Sequence, residues 1–474
     1  MAGQGKSSVL PAGPAGRGRL VRQAPLAGHG LQPEAYRART TRRGLLAAMT
    51  LAPAGGMLAA CIRTGGDAGA GAGSDIRAEA GTLQWFCWNP AANLELYKQI
   101  ARSFEQQQSS IKLELLSPAA GADYFTNLKT QLAAGQPVDI IGGSPVWVPD
   151  VATTGIAKDL TGFVQRDRAF RLDDYAKGVV DAGSWKGRLY FLTLFGNFNV
   201  LFYNQTLLDK AGVKYPDDSW TRETLLDAAK RLTQHTSDPN SDIWGFNFGR
   251  DLNNVLPWIW QNGGDAFEKS EDPTKATMSS APALDALQWL ADAVTKHKVA
   301  PGEGGGPDVG FSTGRVALHV QAVANIGRVA ADVKGQFPWD IAPHPKGKNG
   351  RPNYAGTLFG GIANVTKLPD AAWTFLKYFC GVPGQKVFVE AQVGAPVIKG
   401  LEKDYLSLPP PPANRKVVLD TLPSLRALPK SLRMNDMYSP IFSKLMGDAF
   451  AGRISATEAA RQIDEQATAL LQQK

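Results

Sequence analysis

Cysteine and histidine are scarce in this chain of 474 residues, which has three cysteines and five histidines. The four histidines of the body are too scattered to form a metal-binding motif; they are His235, His297, His319 and His344. The sequence also lacks the phosphate-binding loop, the nucleophile elbow and the zinc-protease motif. We therefore expect no cofactor, no metal and a binding protein rather than an enzyme. A pair of carboxylates assembled by the fold stays open, because glycosidase acids are distant in sequence.

Basic residues are in excess, but this excess lies almost entirely in the first 60 residues. The chain has 51 Lys and Arg against 43 Asp and Glu, a formal net charge of +8. Residues 1–60 contain eight basic side chains and one acidic side chain, Glu34, and so carry +7 of that charge. The remaining body is nearly neutral, which argues against nucleic acid as a partner.

The first 60 residues have the pattern of a secretory signal peptide. Arg42-Arg43 precedes an apolar run ending at Ala60, and this run is shorter than the roughly 20 residues that span a bilayer. Such an order indicates export, and the paired arginines suggest the twin-arginine route. Leu58-Ala59-Ala60-Cys61 resembles the lipobox of bacterial lipoproteins, in which the cysteine is lipidated and becomes the N-terminus. An ordinary signal peptide with a cysteine nearby is the alternative.

The segment 61–81 is rich in Gly and Ala, with few side chains able to form a core, and it is predicted to be a flexible tether. A lipid on Cys61 followed by this tether predicts an extracytoplasmic protein that is anchored to the cell membrane. The other cysteines, Cys87 and Cys380, lie in apolar contexts. We expect both to be buried free thiols; a disulfide between them is the alternative, because the spacing of two cysteines does not decide it.

From residue 83 the chain alternates between strand and helix patterns, which implies a parallel sheet covered by helices. The first predicted elements are strands at 83–88, 111–115 and 138–141 and helices at 91–107 and 124–135. In such sheets ligands bind beyond the carboxyl ends of the strands. A second α/β unit begins near Asn199. Later features are helices at 281–298 and 370–380, a proline linker at 409–412, and a final helix that starts at the capping-box pair Ser455 and Glu458.

Tryptophan is the strongest positive signal, with eleven residues. Those in apolar strand or helix patterns are expected in the core: Trp85, Trp220, Trp289 and Trp373. Four others fall at predicted strand ends or in loops: Trp88, Trp147, Trp258 and Trp260. Aromatic rings in a cleft suit sugars, because a ring covers the C–H face of a sugar while amides bind its hydroxyls. The candidate amides are Asn89, Asn197, Asn199, Gln261 and Asn325, although amides that bond only within the protein fit the sequence equally well.

Five segments resemble one known family in content and order. They are 124–139 (YFTNLKTQLAAGQPVD), 201–232 (LFYNQTLLDKAGVKYPDDSWTRETLLDAAKRL), 311–318 (FSTGRVAL), 371–385 (AAWTFLKYFCGVPGQ) and 452–459 (GRISATEA). With a lipobox ahead of them, they resemble the family-one extracellular solute-binding proteins of bacterial ABC importers. This sugar-binding group includes maltose-binding protein, and the resemblance covers about residues 83–473.

The resemblance implies a two-lobe α/β fold of the periplasmic-binding-protein type, with a hinge and with the ligand closed between the lobes. Lobe one would comprise 83–195 plus 358–405, and lobe two 196–357 plus 406–474. Chain crossings would lie near 194–201, 354–361 and 400–412. The implied ligand-binding residues are Trp88, Asn89 and Trp147 in lobe one, Trp258, Trp260, Gln261 and Asn325 in lobe two, and Asn197, Gly356 and Phe359 near the hinge.

The predicted function is that of a monomeric substrate-binding lipoprotein, which delivers a sugar or oligosaccharide to the permease of an ABC importer. The same fold with a charged solute, such as a glycerol-phosphate ester or an amino acid, is one alternative. A phosphate ligand would need Arg188, Arg250 or Arg328 in the cleft. A surface glycoside hydrolase, which needs two juxtaposed carboxylates, and an adhesion lipoprotein without a small ligand are the others.

Overall fold

The computed structural model describes residues 79–88, 90–118, 123–302 and 309–473. The predictions for the signal peptide, including Arg42 and Arg43, for Cys61 and for Asn89 lie outside the described residues, as does nearly all of the tether. The first strand begins at Gly81, the last residue of the predicted tether. Within the described part, no helix combines the length and the apolar character needed to cross a bilayer.

Strands in the described part form two main sheets and two short pairs. In chain order they are β1 (Gly81–Phe86), β2 (Ile111–Leu116), β3 (Ile140–Gly143), β4 (Ser184–Trp185), β5 (Arg188–Leu189), β6 (Phe191–Asn197), β7 (Asn199–Asn204), β8 (Trp244–Phe248), β9 (Val316–Ala322), β10 (Trp339–Ala342), β11 (Asn353–Tyr354), β12 (Gly356–Ile362) and β13 (Leu425–Arg426). One sheet has the order β2-β1-β3-β12-β6 and the other β10-β7-β9-β8. The short pairs are β11-β13 and β4-β5.

Helices cover the sheets. They are α1 (Pro90–Gln107), α2 (Tyr124–Ala133), α3 (Val148–Thr153), α4 (Thr161–Arg166), α5 (Lys177–Ala182), α6 (Gln205–Ala211), α7 (Arg222–Leu232), α8 (Leu252–Gln261), α9 (Ala281–Thr295), α10 (Ile326–Val333), α11 (Pro369–Cys380), α12 (Val382–Glu390), α13 (Glu402–Leu406), α14 (Lys416–Thr421), α15 (Met434–Met437), α16 (Lys444–Phe450) and α17 (Ala456–Leu471). The predicted helix-strand alternation is confirmed. The Oγ atom of Ser455 accepts a hydrogen bond of 3.1 Å from the backbone N–H of Glu458, which confirms the predicted cap of the last helix.

We call the part built on the five-stranded sheet lobe one and the part built on the four-stranded sheet lobe two. In lobe one, β1 runs parallel to β2 and β3, as predicted, and β12 is antiparallel to both β3 and β6. Trp85 is 1% exposed and packs edge-on against Tyr97, Phe375 and Phe379. The core of lobe two lies between β7–β9 and the helices α8, α9, α16 and α17.

The chain passes between the two sheets at Phe198, which separates β6 from β7. A second passage runs from β10 of the four-stranded sheet through the short strand β11 to β12 of the five-stranded sheet, and Ala355 separates β11 from β12. The Asn353 side chain joins the two passages, because its Oδ1 accepts from Asn199 N at 3.2 Å and its Nδ2 donates to Asn199 O at 2.7 Å. β13 lies beside β11, C-terminal to the predicted third crossing. The lobe boundaries stay a prediction.

Cys87 and Cys380 are free and fully buried, as predicted. Burial raises the pKa of the Cys87 thiol to about 12 and that of the Cys380 thiol well above its usual range. Since the thiolate is the reactive form of cysteine, both side chains are inert at neutral pH. They act as small apolar core residues.

His344 is a buried titratable group of lobe two, with 2% of its surface exposed. Its ring centroid lies 4.4 Å from that of Trp258. Burial lowers the pKa of His344 from 6.5 to about 4. The unfolded chain therefore takes up a proton near pH 6.5 and the folded chain only near pH 4. The contribution of His344 to stability is complete above about pH 6.5 and is lost as the pH falls toward about 4.

We expect the free energy of unfolding to fall by roughly 3 kcal/mol on this account when the pH drops from about 7 to about 4. His344→Gln should remove that part of the pH dependence, because glutamine does not titrate. His235→Gln, at a side chain that is 44% exposed, is the matched control. Urea unfolding across this pH range measures the effect. Equal pH slopes for the wild type and His344→Gln would contradict the prediction.

Candidate functional site

The carboxyl ends of the lobe-one strands lie at one edge of the sheet. β1 and β3 are parallel and end at Phe86 and Gly143. β12 is antiparallel to β3, and β6 is antiparallel to β12, so β6 runs in the same direction as β3. Its last residue, Asn197, pairs with Gly356, the first residue of β12. Three predicted site residues therefore share this edge: Trp88 follows β1, Asn197 ends β6 and Gly356 begins the antiparallel β12.

One edge of the lobe-two sheet begins next to the lobe-one edge along the chain. β7 begins at Asn199, which pairs with Ala322 at the end of β9, and the parallel strand β8 ends at Phe248. Only Phe198 separates this edge from Asn197. The 3₁₀ turn Val323–Asn325 extends from β9, and the backbone N–H of Ala324 donates to Oδ1 of Asn197 at 3.2 Å. The strand ends of the two sheets therefore meet at this crossing, and we call this junction the cleft.

Two half-buried tryptophans form an aromatic wall at the lobe-one edge. Trp88 follows β1 and Trp147 ends the turn after β3, and their ring centroids lie 4.7 Å apart at 66°. Tyr124 of α2 packs against both rings. Its hydroxyl donates to Phe86 O at 3.0 Å and accepts from Gly142 N at 2.7 Å. These bonds fix α2 to the strand ends that position the two indoles.

Gly142 is required for this arrangement. A Cβ atom at this position would lie 2.7 Å from the Cβ of Trp88, closer than two carbon atoms can approach without displacement. A side chain here would therefore push Trp88 away from the end of β3. The glycine signal at the end of the predicted strand 138–141 thus corresponds to close packing of an aromatic residue.

Unpartnered amides lie on the lobe-two side of the cleft. Asn199 is fully buried, and neither its Nδ2 nor its Oδ1 has a hydrogen-bond partner in the described chain. The same holds for Nε2 of Gln321 and Oδ1 of Asn253. Asn325, a predicted site residue, donates from Nδ2 to Oε1 of Gln321 at 3.3 Å. Buried polar atoms without partners are unfavourable, and a solute with many hydroxyls can satisfy such atoms.

Asp251 and Tyr438 also lie at the lobe-two edge, and sequence reasoning missed both. Asp251 follows β8 and caps α8 by accepting from Asn254 N at 3.2 Å. Its Oδ1 also accepts from the Tyr438 hydroxyl at 3.0 Å. Burial, and then the Asp251 charge, raise the pKa of Tyr438 well above its usual range. Because ligands bind beyond the carboxyl ends of strands, the position of Asp251 after β8 is a signal for this residue. Tyr438 is brought to the site by tertiary packing alone.

The predicted loop positions of Trp258, Trp260 and Gln261 are wrong. All three lie in α8, which accommodates Pro257, and they are 0%, 2% and 0% exposed. Trp258 stacks on Trp289 with centroids 5.1 Å apart. Nε2 of Gln261 lies 2.8 Å from Nδ1 of His344. Because α8 is apolar on several faces, it is buried on several faces. Contact of these side chains with the ligand between the lobes stays a prediction, which their burial disfavours.

Phe359 occupies the interior of β12 rather than the cleft. It is 1% exposed and stacks on Phe191, with centroids 5.3 Å apart. Gly356, three residues earlier, lies at the edge. The core positions predicted for Trp85, Trp220 and Trp373 are confirmed by exposures of 5% or less, and Trp289 packs partly buried against the lobe-two core.

The three arginines proposed for a phosphate ligand all have partners within the protein. Arg188 is exposed on β5 and pairs with Asp159 at 3.3 Å. Arg328 pairs with Asp332 of the same helix at 3.4 Å. Arg250 donates from Nη2 to the Pro301 carbonyl. The described residues contain no group of three His, Cys, Asp or Glu side chains that could hold a metal ion.

The sequence of this chain matches a known protein family. Residues 90–386, more than half of the chain, match the sequence profile of the bacterial extracellular solute-binding proteins. The arabinooligosaccharide-binding protein of Bacillus subtilis (strain 168) is 27% identical over 280 residues, which cover 54% of this chain and 59% of that protein. The chain therefore spans less than two thirds of that relative's length.

Solved structures show the same fold. An ABC substrate-binding protein of Listeria monocytogenes, in complex with cycloalternan, superposes with a TM-score of 0.71 at 24% identity, over 84% of this chain and 100% of that one. The cyclic α-maltosyl-1,6-maltose binding protein of Arthrobacter globiformis gives 0.69 at 21% identity, over 83% and 99%. The chain belongs to the bacterial extracellular solute-binding protein family and has the α/β periplasmic-binding-protein fold.

Proposed function

We propose that this protein is the substrate-binding component of an ABC importer and that it captures a neutral sugar or oligosaccharide between its two lobes. One observation carries the proposal. The paired indoles of Trp88 and Trp147 lie at the lobe-one edge, and unpartnered amide atoms of Asn199, Asn253 and Gln321 lie at the lobe-two edge. An aromatic wall together with amides suits a ligand with C–H faces and a rim of hydroxyls.

The names of similar proteins agree with this ligand class. They describe binding of arabinooligosaccharide, cycloalternan and cyclic maltosyl-maltose. Each is an uncharged carbohydrate, and the nearly neutral body of the present chain is compatible with such a ligand. The particular sugar depends on the cleft side chains.

Closure of the lobes supplies the mechanism. A sugar that stacks on Trp147 and bonds to amides of lobe two touches both edges at once. It therefore stabilises the closed arrangement relative to the open one, and the population shifts by the difference in affinity. The chain crosses at Phe198 and Ala355, where a small backbone rotation would move one lobe relative to the other. The closed surface would then be the one that a permease recognises.

A charged solute is the second candidate, and the cleft electrostatics disfavour an anionic one. Asp251 places a carboxylate at the lobe-two edge, while Arg188 and Arg328 are paired with acidic residues. An anion in the cleft would be repelled by Asp251. A phosphate ester would also lack a bidentate arginine partner. We therefore propose a neutral ligand.

Thermal unfolding of the full chain against a panel of sugars, polyols and phosphate esters tests the proposal. The ligand should stabilise the protein by RT ln(1 + [L]/Kd), about 2.7 kcal/mol at a hundredfold excess over Kd. Phosphate esters should give no shift at the same concentration. A shift with phosphate esters alone would favour the charged-solute alternative. No shift with any sugar would remove the proposed ligand class without affecting the fold.

We also propose that Cys61 is lipidated and anchors the mature protein to the outer face of the cell membrane. The support is the Leu58–Cys61 lipobox pattern behind Arg42-Arg43. Mass spectrometry of the mature protein should find Cys61 as a diacylated N-terminus. Cys61→Ser should give a protein that partitions into the aqueous phase of a detergent extraction. An unmodified N-terminus elsewhere in the chain would contradict the anchor.

A further inference from the structure

A cavity on lobe two lies apart from the cleft. Its volume is about 420 Å³, and the residues that line it include Trp260, Asp265, Thr277, Ser280, Asn349 and Arg426. Small-ligand sites in proteins measure about 300–1,000 Å³, so the cavity has room for a small molecule. None of the residues that line it belongs to the two sheet edges.

The charges in the cavity compensate each other. Oδ2 of Asp265 pairs with Nη2 of Arg426 at 3.1 Å. An anion would be repelled by Asp265 and a cation by Arg426, while a neutral ligand meets a balanced donor and acceptor set. The hydroxyl of Thr277 donates to the backbone carbonyl of Asp265 at 3.0 Å and can still accept. Ser280 precedes α9 without capping it through its side chain, so its hydroxyl has no role in starting that helix.

Trp260 adds a donor that the protein leaves unsatisfied. Its side chain is 2% exposed, and its indole N–H has no hydrogen-bond partner in the described chain. The guanidinium of Arg426 lies 4.4 Å from the ring centroid and covers one face of the indole. A buried N–H without a partner is unfavourable. Because the Trp260 ring also lines the cavity, a molecule bound there would change the surroundings of this indole, and its N–H resonance would report the binding.

We propose that this cavity is a second ligand site, which binds a small neutral polyhydroxylated molecule, a monosaccharide or a polyol. The hydroxyls of the ligand bond to Asp265, Ser280 and Asn349, beside the ring of Trp260. Arg426 belongs to β13, which pairs with β11 beside the second chain crossing. A ligand in this cavity therefore contacts a strand next to the hinge. Binding in this cavity does not require that a sugar bind in the cleft.

The test follows the tryptophan indole N–H resonances of the full chain by two-dimensional NMR, with D-glucose as one probe and glycerol as the other. Trp260→Phe identifies the Trp260 resonance. We expect at least one probe to shift this resonance saturably in the millimolar range. The shift should persist with the same midpoint in Trp147→Ala, which removes part of the aromatic wall of the cleft.

Two substitutions at the cavity complete the experiment. Ser280→Phe places a ring in the cavity and should abolish the shift, whereas Ser280→Ala should retain it. Asn349 is exposed, so the Asn349→Ala variant should fold normally. Its affinity for the probe should be several-fold weaker. A shift that does not saturate, that survives unchanged in both Ser280→Phe and Asn349→Ala, or that disappears in Trp147→Ala overturns the second site. The last outcome would assign the probe to the cleft alone and leave the proposed function in place.

Discussion

Replacing Trp147 by alanine is expected to weaken binding of the sugar identified by thermal screening by about 30-fold or more. Truncation of an aromatic anchor in a binding site costs about 2 kcal/mol or more, and each 1.4 kcal/mol corresponds to roughly a factor of ten in Kd. Trp147 is half-buried and stacks on Phe125 and Tyr124. The fold does not depend on it as on a core residue, so we expect a melting temperature within a few degrees of wild type.

Titration calorimetry measures the loss, and a second tryptophan provides the control. Trp289→Ala removes a partly buried indole of α9 that packs against the core of lobe two, so it should leave Kd unchanged even where it lowers stability. Trp88→Ala should weaken binding like Trp147→Ala, because the two rings form one wall. Unchanged affinity in both Trp88→Ala and Trp147→Ala would exclude this wall from the site.

The lobe-one side of the cleft could be predicted from the sequence because its elements have clear periodicity. The strands near 83–88 and 138–141 are short apolar runs that end at turn residues, and the rule that ligands bind beyond parallel strands places Trp88 and Trp147 together. Their ring centroids lie 4.7 Å apart, and contact of the pair with a ligand stays a prediction. Local patterns were sufficient here, since both tryptophans lie within a few residues of the end of a strand.

The lobe-two side could not be predicted in the same way, because α8 has an ambiguous sequence. Pro257 and the polar pair Gln261-Asn262 predict a loop. The segment instead forms a helix with most of its side chains buried. A helix that is buried on several faces has no polar stripe to reveal its period. The unpartnered amide of Asn199 is equally hidden from sequence, because its isolation depends on which residues β9 and α8 bring next to it.

Phe359 shows a different limit of sequence reasoning. The family resemblance placed the residue near the hinge, and the structure does place β12 directly after the second crossing. Side chains alternate between the two faces of a strand, so closeness along the chain does not decide which residue faces the cleft. Phe359 is buried where its ring stacks on that of Phe191, while Gly356 stays at the edge. Only the register between β12 and β6 fixes this outcome.

Trp258→Ala is expected to lower the free energy of unfolding by about 3–5 kcal/mol, the range for removal of a large aromatic side chain from a core. Trp258 is 0% exposed and lies between the Trp289 and His344 rings. Its indole N–H has no partner in the described chain, so the loss comes from apolar contacts and from the cavity left behind rather than from a broken hydrogen bond.

Urea unfolding of the full chain measures this change, and Trp258→Phe is the matched variant. Phenylalanine keeps the aromatic contacts with a smaller ring and omits the unpartnered N–H, so it should recover most of the lost stability. The affinity of folded Trp258→Ala for the sugar should stay close to wild type, because the residue lies in the core of lobe two. A large loss of affinity without a loss of stability would instead show that Trp258 contacts the ligand, as the sequence predicted.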